Sequence, residues 1–182
     1  MLGVVLAGGE SRRMGRDKAN VDVLGTVLWR RQVGVLRDAG AGRVVLIRRR
    51  DQDPIDYPDC HFDLFPGSGP LAGIHAALEL GGDPLVAVLA VDMPGIDAAW
   101  FEWLLGFCRP GLGAVAGSAP TLEPLAAIYP AEALPEVAAR IARRELSVQG
   151  LAAGLAAAGK MAVVGVPESY AGRMASLNEP PA

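Results

Sequence analysis

An unbroken apolar run, LVAVLAV, occupies residues 85–91 and decides the fold. It is too short to cross a bilayer, because a membrane-spanning helix needs about 20 apolar residues. A strand that is apolar at every position has to be covered on both faces, as the central strands of a parallel sheet are. The run therefore predicts a buried strand at the centre of such a sheet.

Strands and helices alternate on both sides of this run. The short run Gly3 to Ala7 stops at a glycine pair, as a buried parallel strand does, and a helical pattern from Val27 to Ala39 is followed by glycines. Such alternation implies right-handed βαβ crossovers and a doubly wound, mostly parallel α/β sheet. The remaining predicted elements are strands at 43–47, 60–64, 114–117, 125–129 and 161–166 and helices at 71–80, 97–107, 132–144 and 147–158.

Composition is that of an ordinary globular chain. Hydrophobic residues make up 51% and charged residues 20% of the 182 residues, which predicts one folded domain over residues 1–182. Cys60 and Cys108 lack CxxC spacing, and their neighbourhoods lack the clustered His and Cys that a zinc site requires, so we expect buried thiols and no zinc site. The apolar start has no basic leader before it, and we expect a cytoplasmic protein that does not contact a membrane.

Charge is divided unevenly along the chain. Residues 1–50 carry eleven Lys and Arg against four Asp and Glu, whereas the rest carries six against sixteen. No aromatics alternate with these cations and the net charge is −3, so a small polyphosphate ligand is favoured over nucleic acid. For the triplet 48–50, the alternative that three arginines end a strand in solvent stays open.

The candidate site lies where three predicted strands end. Ligands of doubly wound sheets bind beyond the carboxyl ends of the strands, at the point where strand order reverses. The segments that leave strands at this edge are Leu6 to Ala19, Phe62 to Gly73 and Asp92 to Pro94. We therefore expect these segments to surround one ligand.

The first of these segments is built to bind an anion. It contains three glycines, three arginines and a lysine; glycines let backbone N–H groups approach phosphate, and the cations add direct contacts. It lacks the Gly-Lys-Ser/Thr of a Walker A loop and the GxGxxG of a Rossmann fingerprint. These exclusions count against a GTPase, an ATPase or a dehydrogenase.

The same loop, LAGGESRRMGRDK at residues 6–18, resembles the signature loop of the molybdenum cofactor guanylyltransferases. Three further motifs follow in the family's order and spacing: GPLAG at 69–73, DMP at 92–94 and SLNEP at 176–180. The resemblance covers nearly the whole chain. It implies a Rossmann-like three-layer sandwich of the nucleotide-diphosphosugar transferase type.

The activity that this resemblance implies is GMP transfer. GMP would pass from magnesium-bound GTP to the terminal phosphate of molybdopterin or molybdenum-molybdopterin, releasing pyrophosphate and giving the guanine dinucleotide cofactor. A protein that delivers molybdopterin is a further candidate partner. The chemistry requires Mg²⁺, cations and in-line positioning. The acceptor phosphate, with a second pKa of about 6, is already largely a dianion and needs no strong base.

Catalytic roles follow by resemblance for Arg13, Lys18 and Asp92. Asp92 would hold Mg²⁺, because a carboxylate together with substrate phosphates is the usual magnesium site. Its alternative role is the N-cap of the following helix. Lys18 would contact the triphosphate, with Arg13 and Arg12 sharing that task.

The resemblance also assigns binding residues. Asp63 matches a family position that touches the guanine nucleotide, and Asn178 and Arg144 would serve the acceptor, Arg144 lying where the family places a basic helix start. A surface charge is the alternative for Asp63 and Arg144. The predicted GTP-binding set is Leu6, Ala7, Gly8, Gly9, Lys18, Asp63 and Asp92.

Two positions depart from the family pattern. Ile47 stands where the family commonly has Asn, and Glu179 replaces the usual Thr.

A CTP-dependent cytidylyltransferase acting on the same pterin is one alternative function, although Gly8 favours guanine because the cytidylyltransferases usually show LAAG. A non-catalytic nucleotide-binding module is another, opposed by the intact Lys18 and Asp92. Sugar-phosphate nucleotidyltransferases are generally longer chains.

Overall fold

The computed structural model describes residues 1–9, 18–23, 25–118 and 120–173, with Lys18 and Val23 described by their backbone only. The strands are β1 Leu2–Leu6, β2 Asp22–Val23, β3 Thr26–Val27, β4 Arg43–Arg48, β5 Cys60–Phe62, β6 Leu85–Ala90, β7 Gly113–Ser118, β8 Thr121–Leu122, β9 Ala126–Pro130 and β10 Met161–Val164. The helices are α1 Leu28–Asp38, α2 Pro70–Glu79, α3 Ala98–Leu105, α4 Leu134–Ala142 and α5 Val148–Ala157.

One mixed sheet organises these elements. Its strand order is β10-β7-β9-β6-β1-β4-β5, with β8 paired to β7. Strand β1 is parallel to both neighbours, β4 and β6, and the chain winds outward from it in both directions. Only β9 of the main order runs antiparallel to the strands beside it. The predicted doubly wound, mostly parallel sheet is confirmed, and its order reverses at β1.

Strand β6 has the central place that its apolar run predicts. Every residue of Leu85–Ala90 is buried. Leu89 packs in the cluster that includes α1 and α3, whereas Val88 packs in the cluster that includes α2, α4 and α5. Alternate residues of one strand thus enter two cores, which confirms the three-layer sandwich.

The structure adds elements that the sequence pattern did not predict. Strands β2 and β3 form a hairpin around Gly25, which has a positive φ of 81° and donates its N–H to the Asp22 carboxylate at 2.8 Å. Strand β8 pairs with the end of β7. Each of these strands has two residues, too few for a periodic signal. The assignment of residues 1–182 to one domain stays a prediction.

Aromatic residues of α3 form part of the core. Trp100 and Phe101 are fully buried, and the Trp100 indole N–H donates to the Ala126 carbonyl at 2.8 Å.

The two cysteine thiols differ from expectation, because Cys60 and Cys108 are only partly buried. Among the residues described above, no helix is both long enough and apolar enough to span a bilayer.

Candidate active site

A cavity of about 530 Å³ opens at the carboxyl edge of the sheet, beside the strand where the order reverses. The three segments that leave strands at this edge all contribute to its wall. The described lining residues are Leu6, Ala7, Gly8, Gly9, Ile47, Arg49, Asp63, Gly67, Gly69, Pro70, Gly73, Ala90, Val91, Asp92 and Leu125.

The end of β1 is tied to both neighbouring strands. The Leu6 carbonyl accepts from the Val91 N–H at 3.0 Å, and the Ala7 N–H donates to the Ile47 carbonyl at 2.9 Å. The Leu6 carbonyl and the Ala7 N–H, which belong to two residues of the predicted GTP-binding set, are therefore already engaged within the sheet. The chain turns into the cavity at Gly8 and Gly9, and a Cβ added at Gly9 would meet nothing within 4 Å.

Asp92 follows β6 and lies partly buried in the cavity wall. The N-cap of α3 is Asp97, whose carboxylate accepts from the Trp100 N–H at 3.3 Å. The alternative role of Asp92 as the cap of that helix is therefore wrong. Within the described ranges no cluster of three His, Cys, Asp or Glu could hold a metal. Asp92 is the carboxylate that would share Mg²⁺ with substrate phosphates, and that role stays a prediction.

Asp63 lies across the cavity, just after β5. Its backbone N–H donates to the Arg48 carbonyl at 3.0 Å, which extends the pairing of β4 with β5. Burial raises the pKa of the Asp63 carboxyl, although the nearby Arg49 cation opposes the shift. Arg49 also lines the cavity, where its guanidinium binds the Asp51 carboxylate at 2.9 and 3.0 Å. One wall therefore carries both an acceptor and a cation.

The loop after β4 is a part of the site that sequence reasoning missed. The Gln52 side chain donates to the Ala7 carbonyl at 3.0 Å and accepts from the Arg49 N–H at 2.9 Å, so it ties two walls of the cavity together. Arg48 is only 2% exposed and donates to the Asp53 carbonyl. The solvent alternative for the arginine triplet is wrong at Arg48. The arginine triplet indicated Arg49 as a cation that could face an anionic ligand, but no feature of the sequence indicated a role for Gln52.

Arg144 lies outside the lining residues of this cavity. It is exposed, with a positive φ of 58°, two residues beyond the end of α4. The expected basic helix start is wrong, because the next helix begins at Val148 and is capped by the Ser147 hydroxyl, which accepts from the Gly150 N–H. Helix α4 follows the antiparallel β9, so its end lies at the same sheet edge as the cavity.

The other predicted site residues fall at or beyond the limits of description. The backbone of Lys18 begins a 3-10 turn that continues into the buried Ala19. Arg13 and Asn178, and Glu179 beside it, lie outside the described residues. Their roles stay predictions.

Comparisons with known proteins identify the family of this chain. Residues 3–153 match the family described as "MobA-like NTP transferase domain". A "Probable molybdenum cofactor guanylyltransferase" of Opitutus terrae is 50% identical over 184 residues, covering 99% of this chain and 91% of the relative.

Solved structures give the same picture. Molybdopterin-guanine dinucleotide biosynthesis protein A of Archaeoglobus fulgidus superimposes with a TM-score of 0.76 at 25% identity, covering 99% of this chain and 93% of that one. A 2-C-methyl-D-erythritol 4-phosphate cytidylyltransferase of Thermus thermophilus shares the fold, with a TM-score of 0.69 at 20% identity and coverage of 98% and 93%. This chain belongs to the MobA-like NTP transferase family and is a nucleotidyltransferase.

Proposed function

We propose that the chain transfers GMP from magnesium-bound GTP to the terminal phosphate of molybdopterin, with or without bound molybdenum. The observation that carries the proposal is that Asp92, Asp63 and the glycines 8 and 9 line one cavity. Its volume of about 530 Å³ is within the range of small-molecule sites. The names of the relatives support molybdopterin as the acceptor.

The proposed reaction forms one bond and breaks one. An oxygen of the acceptor phosphate attacks the α-phosphorus of GTP, and the bond to the β-phosphate oxygen breaks, so pyrophosphate leaves. Mg²⁺, when bound, neutralises charge on the phosphate oxygens. Asp92 holds that ion, the loop after β1 cradles phosphate through its N–H groups, and Lys18 and Arg13 contact the triphosphate. No general base is required, because the acceptor phosphate is already largely a dianion.

Guanine is the base that suits the wall at Asp63. Guanine presents two adjacent N–H donors on its pairing edge, and a carboxylate accepts two such bonds. Cytosine presents one amino donor beside a ring acceptor, which a carboxylate matches less well. Ile47 lines the cavity but adds no polar group where the family commonly has Asn. Delivery of molybdopterin by a partner protein, a cytoplasmic location, and acceptor contacts from Asn178 and Arg144 belong to the same proposal.

Replacing Asp92 by Asn tests the proposal. Pyrophosphate release is measured with each of the four ribonucleoside triphosphates, Mg²⁺ and molybdopterin. GTP should give the fastest release, and Asp92→Asn should slow it about 100-fold or more, since a metal contributes several kcal/mol to such a transition state. Asp38→Asn is the matched control, because Asp38 is exposed at the end of α1, on the opposite edge of the sheet.

Other outcomes would overturn parts of this assignment. If none of the four triphosphates gave pyrophosphate release, the proposed transfer would be contradicted and a non-catalytic nucleotide-binding module would be favoured. Faster release with CTP than with GTP would contradict the guanine preference. An unchanged rate in Asp92→Asn would remove Asp92 from the metal site.

A further inference from the structure

Gln32 is a polar side chain inside an apolar core. It lies on α1, is fully buried, and its neighbours on that face of the helix, Leu28, Val35 and Leu36, are also buried. Burying an amide is costly unless it forms hydrogen bonds. The bonds that Gln32 forms therefore explain what it does.

The Gln32 amide holds the loop that carries Asp92. Its Nε2 donates to the Met93 carbonyl at 2.9 Å and to the Ala90 carbonyl at 3.3 Å, with the Val91 carbonyl at 3.5 Å. These carbonyls lie on both sides of Asp92 in the chain. The neighbouring Arg31 adds two bonds to the Pro94 carbonyl, at 2.9 and 3.2 Å. Two side chains of helix α1 therefore hold the loop from Ala90 to Pro94 through hydrogen bonds to the carbonyls of the loop.

The direction of these bonds bears on Asp92. The loop turns the carbonyls before and after Asp92 toward α1, while Asp92 itself lines the cavity. The loop is further tied to β1 through the Val91 N–H. Its backbone is thus fixed from two sides, and the carboxylate is presented from a backbone that has few ways to move.

Fold stability alone does not account for this amide. The Gln32 Oε1 atom is buried and has no hydrogen-bond partner among the described residues. A buried acceptor without a partner weakens the fold, and an apolar side chain of the same length would avoid that cost. What such a side chain would lose is the N–H donor to the carbonyls around Asp92.

We propose that Gln32 is a positioning residue, which holds the Asp92 carboxylate at the cavity so that it can bind the Mg²⁺ of the nucleotide. This inference rests on the proposed function. Gln32 acts through the Ala90 and Met93 carbonyls and touches neither metal nor nucleotide.

The test replaces Gln32 by Met, which keeps the length of the side chain and removes the donor. GTP affinity is measured by calorimetry with and without Mg²⁺. The factor by which Mg²⁺ tightens GTP binding should fall about tenfold, as for other residues that orient metal ligands. The metal-free affinity should stay unchanged. Amide hydrogen exchange over residues 90–95 should become faster in the variant without ligand.

Matched variants separate positioning from general destabilisation. Val33→Ala weakens the core at the next position of the same helix but removes no hydrogen bond to the loop, and should leave the Mg²⁺ factor unchanged. Arg31→Met releases the Pro94 carbonyl from a less buried site, so it keeps the test informative if Gln32→Met does not fold. It should lower the Mg²⁺ factor by less than Gln32→Met. Arg30→Met, at an exposed position over the Trp29 ring, is its control.

The readouts distinguish the two ways of failing. Unchanged hydrogen exchange at 90–95 in Gln32→Met, or an Mg²⁺ factor that falls equally in Val33→Ala, would overturn the positioning role while leaving the proposed function intact. Absence of any Mg²⁺ effect on GTP binding in the natural protein would overturn the proposed function, and the positioning role with it.

Discussion

Asp97 joins three parts of the chain at a single carboxylate. It accepts from the Trp100 N–H at the start of α3, from the Tyr170 hydroxyl, and from the Arg173 guanidinium at 2.7 Å. Burial by itself raises the pKa of this carboxyl, but the hydrogen bonds from Tyr170 and Arg173 outweigh that effect and the pKa is lowered. Asp97 caps the helix, whereas Asp92 lines the cavity.

Removing the Arg173 cation should therefore give a pH-dependent loss of stability. A carboxyl whose pKa is lowered on folding stabilises the protein above its unfolded pKa of about 3.8, and that contribution is lost as the pH falls through the lower folded value. Both partners are about 40% exposed, so Arg173→Met should cost only about 0.5 kcal/mol at pH 7 and less at pH 3. Urea unfolding at both pH values measures the difference.

Arg109→Met is the control for this prediction. Arg109 is exposed and forms no ion pair with another residue of the described chain, so its removal should have little effect at either pH. An equal loss at pH 3 and pH 7 in Arg173→Met would show that the Asp97 charge does not contribute.

At the scale of elements, close contact between β7 and β9 depends on a missing side chain. A Cβ added at Gly113 would lie 2.1 Å from the Ile128 carbonyl oxygen of β9. That neighbour is backbone inside the sheet, so it cannot move without disturbing the pairing of both strands. By contrast, a Cβ at Gly34 in α1 would meet nothing within 4 Å.

These two glycines predict opposite effects of the same substitution. Gly113→Ala should lower the free energy of unfolding by about 2 kcal/mol or more, since overpacking displaces the strand. Gly34→Ala should raise it by about 0.5–1 kcal/mol, because alanine favours the helix and restricts the unfolded chain. Chemical denaturation of both variants checks the signs. A neutral Gly113→Ala would mean that β9 can shift away from β7.

At the scale of the whole molecule, a ligand that joins the loops at the sheet edge should stabilise the entire fold. Binding to the folded state alone adds about 2.7 kcal/mol when the ligand is at 100 times its Kd. For a chain of this size that corresponds to a rise in Tm of about 5–10 °C.

Thermal unfolding with nucleotides therefore tests the base preference without any acceptor. Magnesium-bound GTP should raise the Tm more than CTP at the same concentration, and Asp63→Asn should reduce the difference because an amide oxygen accepts fewer donors than a carboxylate. Asp38→Asn should show the shifts of the natural protein. Equal shifts with GTP and CTP would argue against recognition of guanine by this wall.

The elements of the fold were predictable because each long one has its own pattern. The apolar run at 85–91 became β6, and the helices and main strands lie within a few residues of their predicted ends. The antiparallel direction of β9 carried no signal, because it depends on which strands it joins and not on its own residues. The role of the Gln52 side chain was equally unpredictable. It joins Arg49, three residues away, to Ala7, which lies 45 residues away along the chain.

The sequence by itself determined the fold class, the family resemblance and the three segments that surround the cavity. Each depends on short-range information: apolar periodicity, glycine and charge within one loop, and the rule that parallel strands end at one edge. Only the tertiary structure decided that Asp97 and not Asp92 caps α3, that Arg48 is buried, and that Gln32 holds the Asp92 loop. Gln32 lies 58 and 61 residues from the Ala90 and Met93 carbonyls that it binds, and Asp97 lies 73 and 76 residues from Tyr170 and Arg173, so folding alone brings these partners within hydrogen-bonding distance.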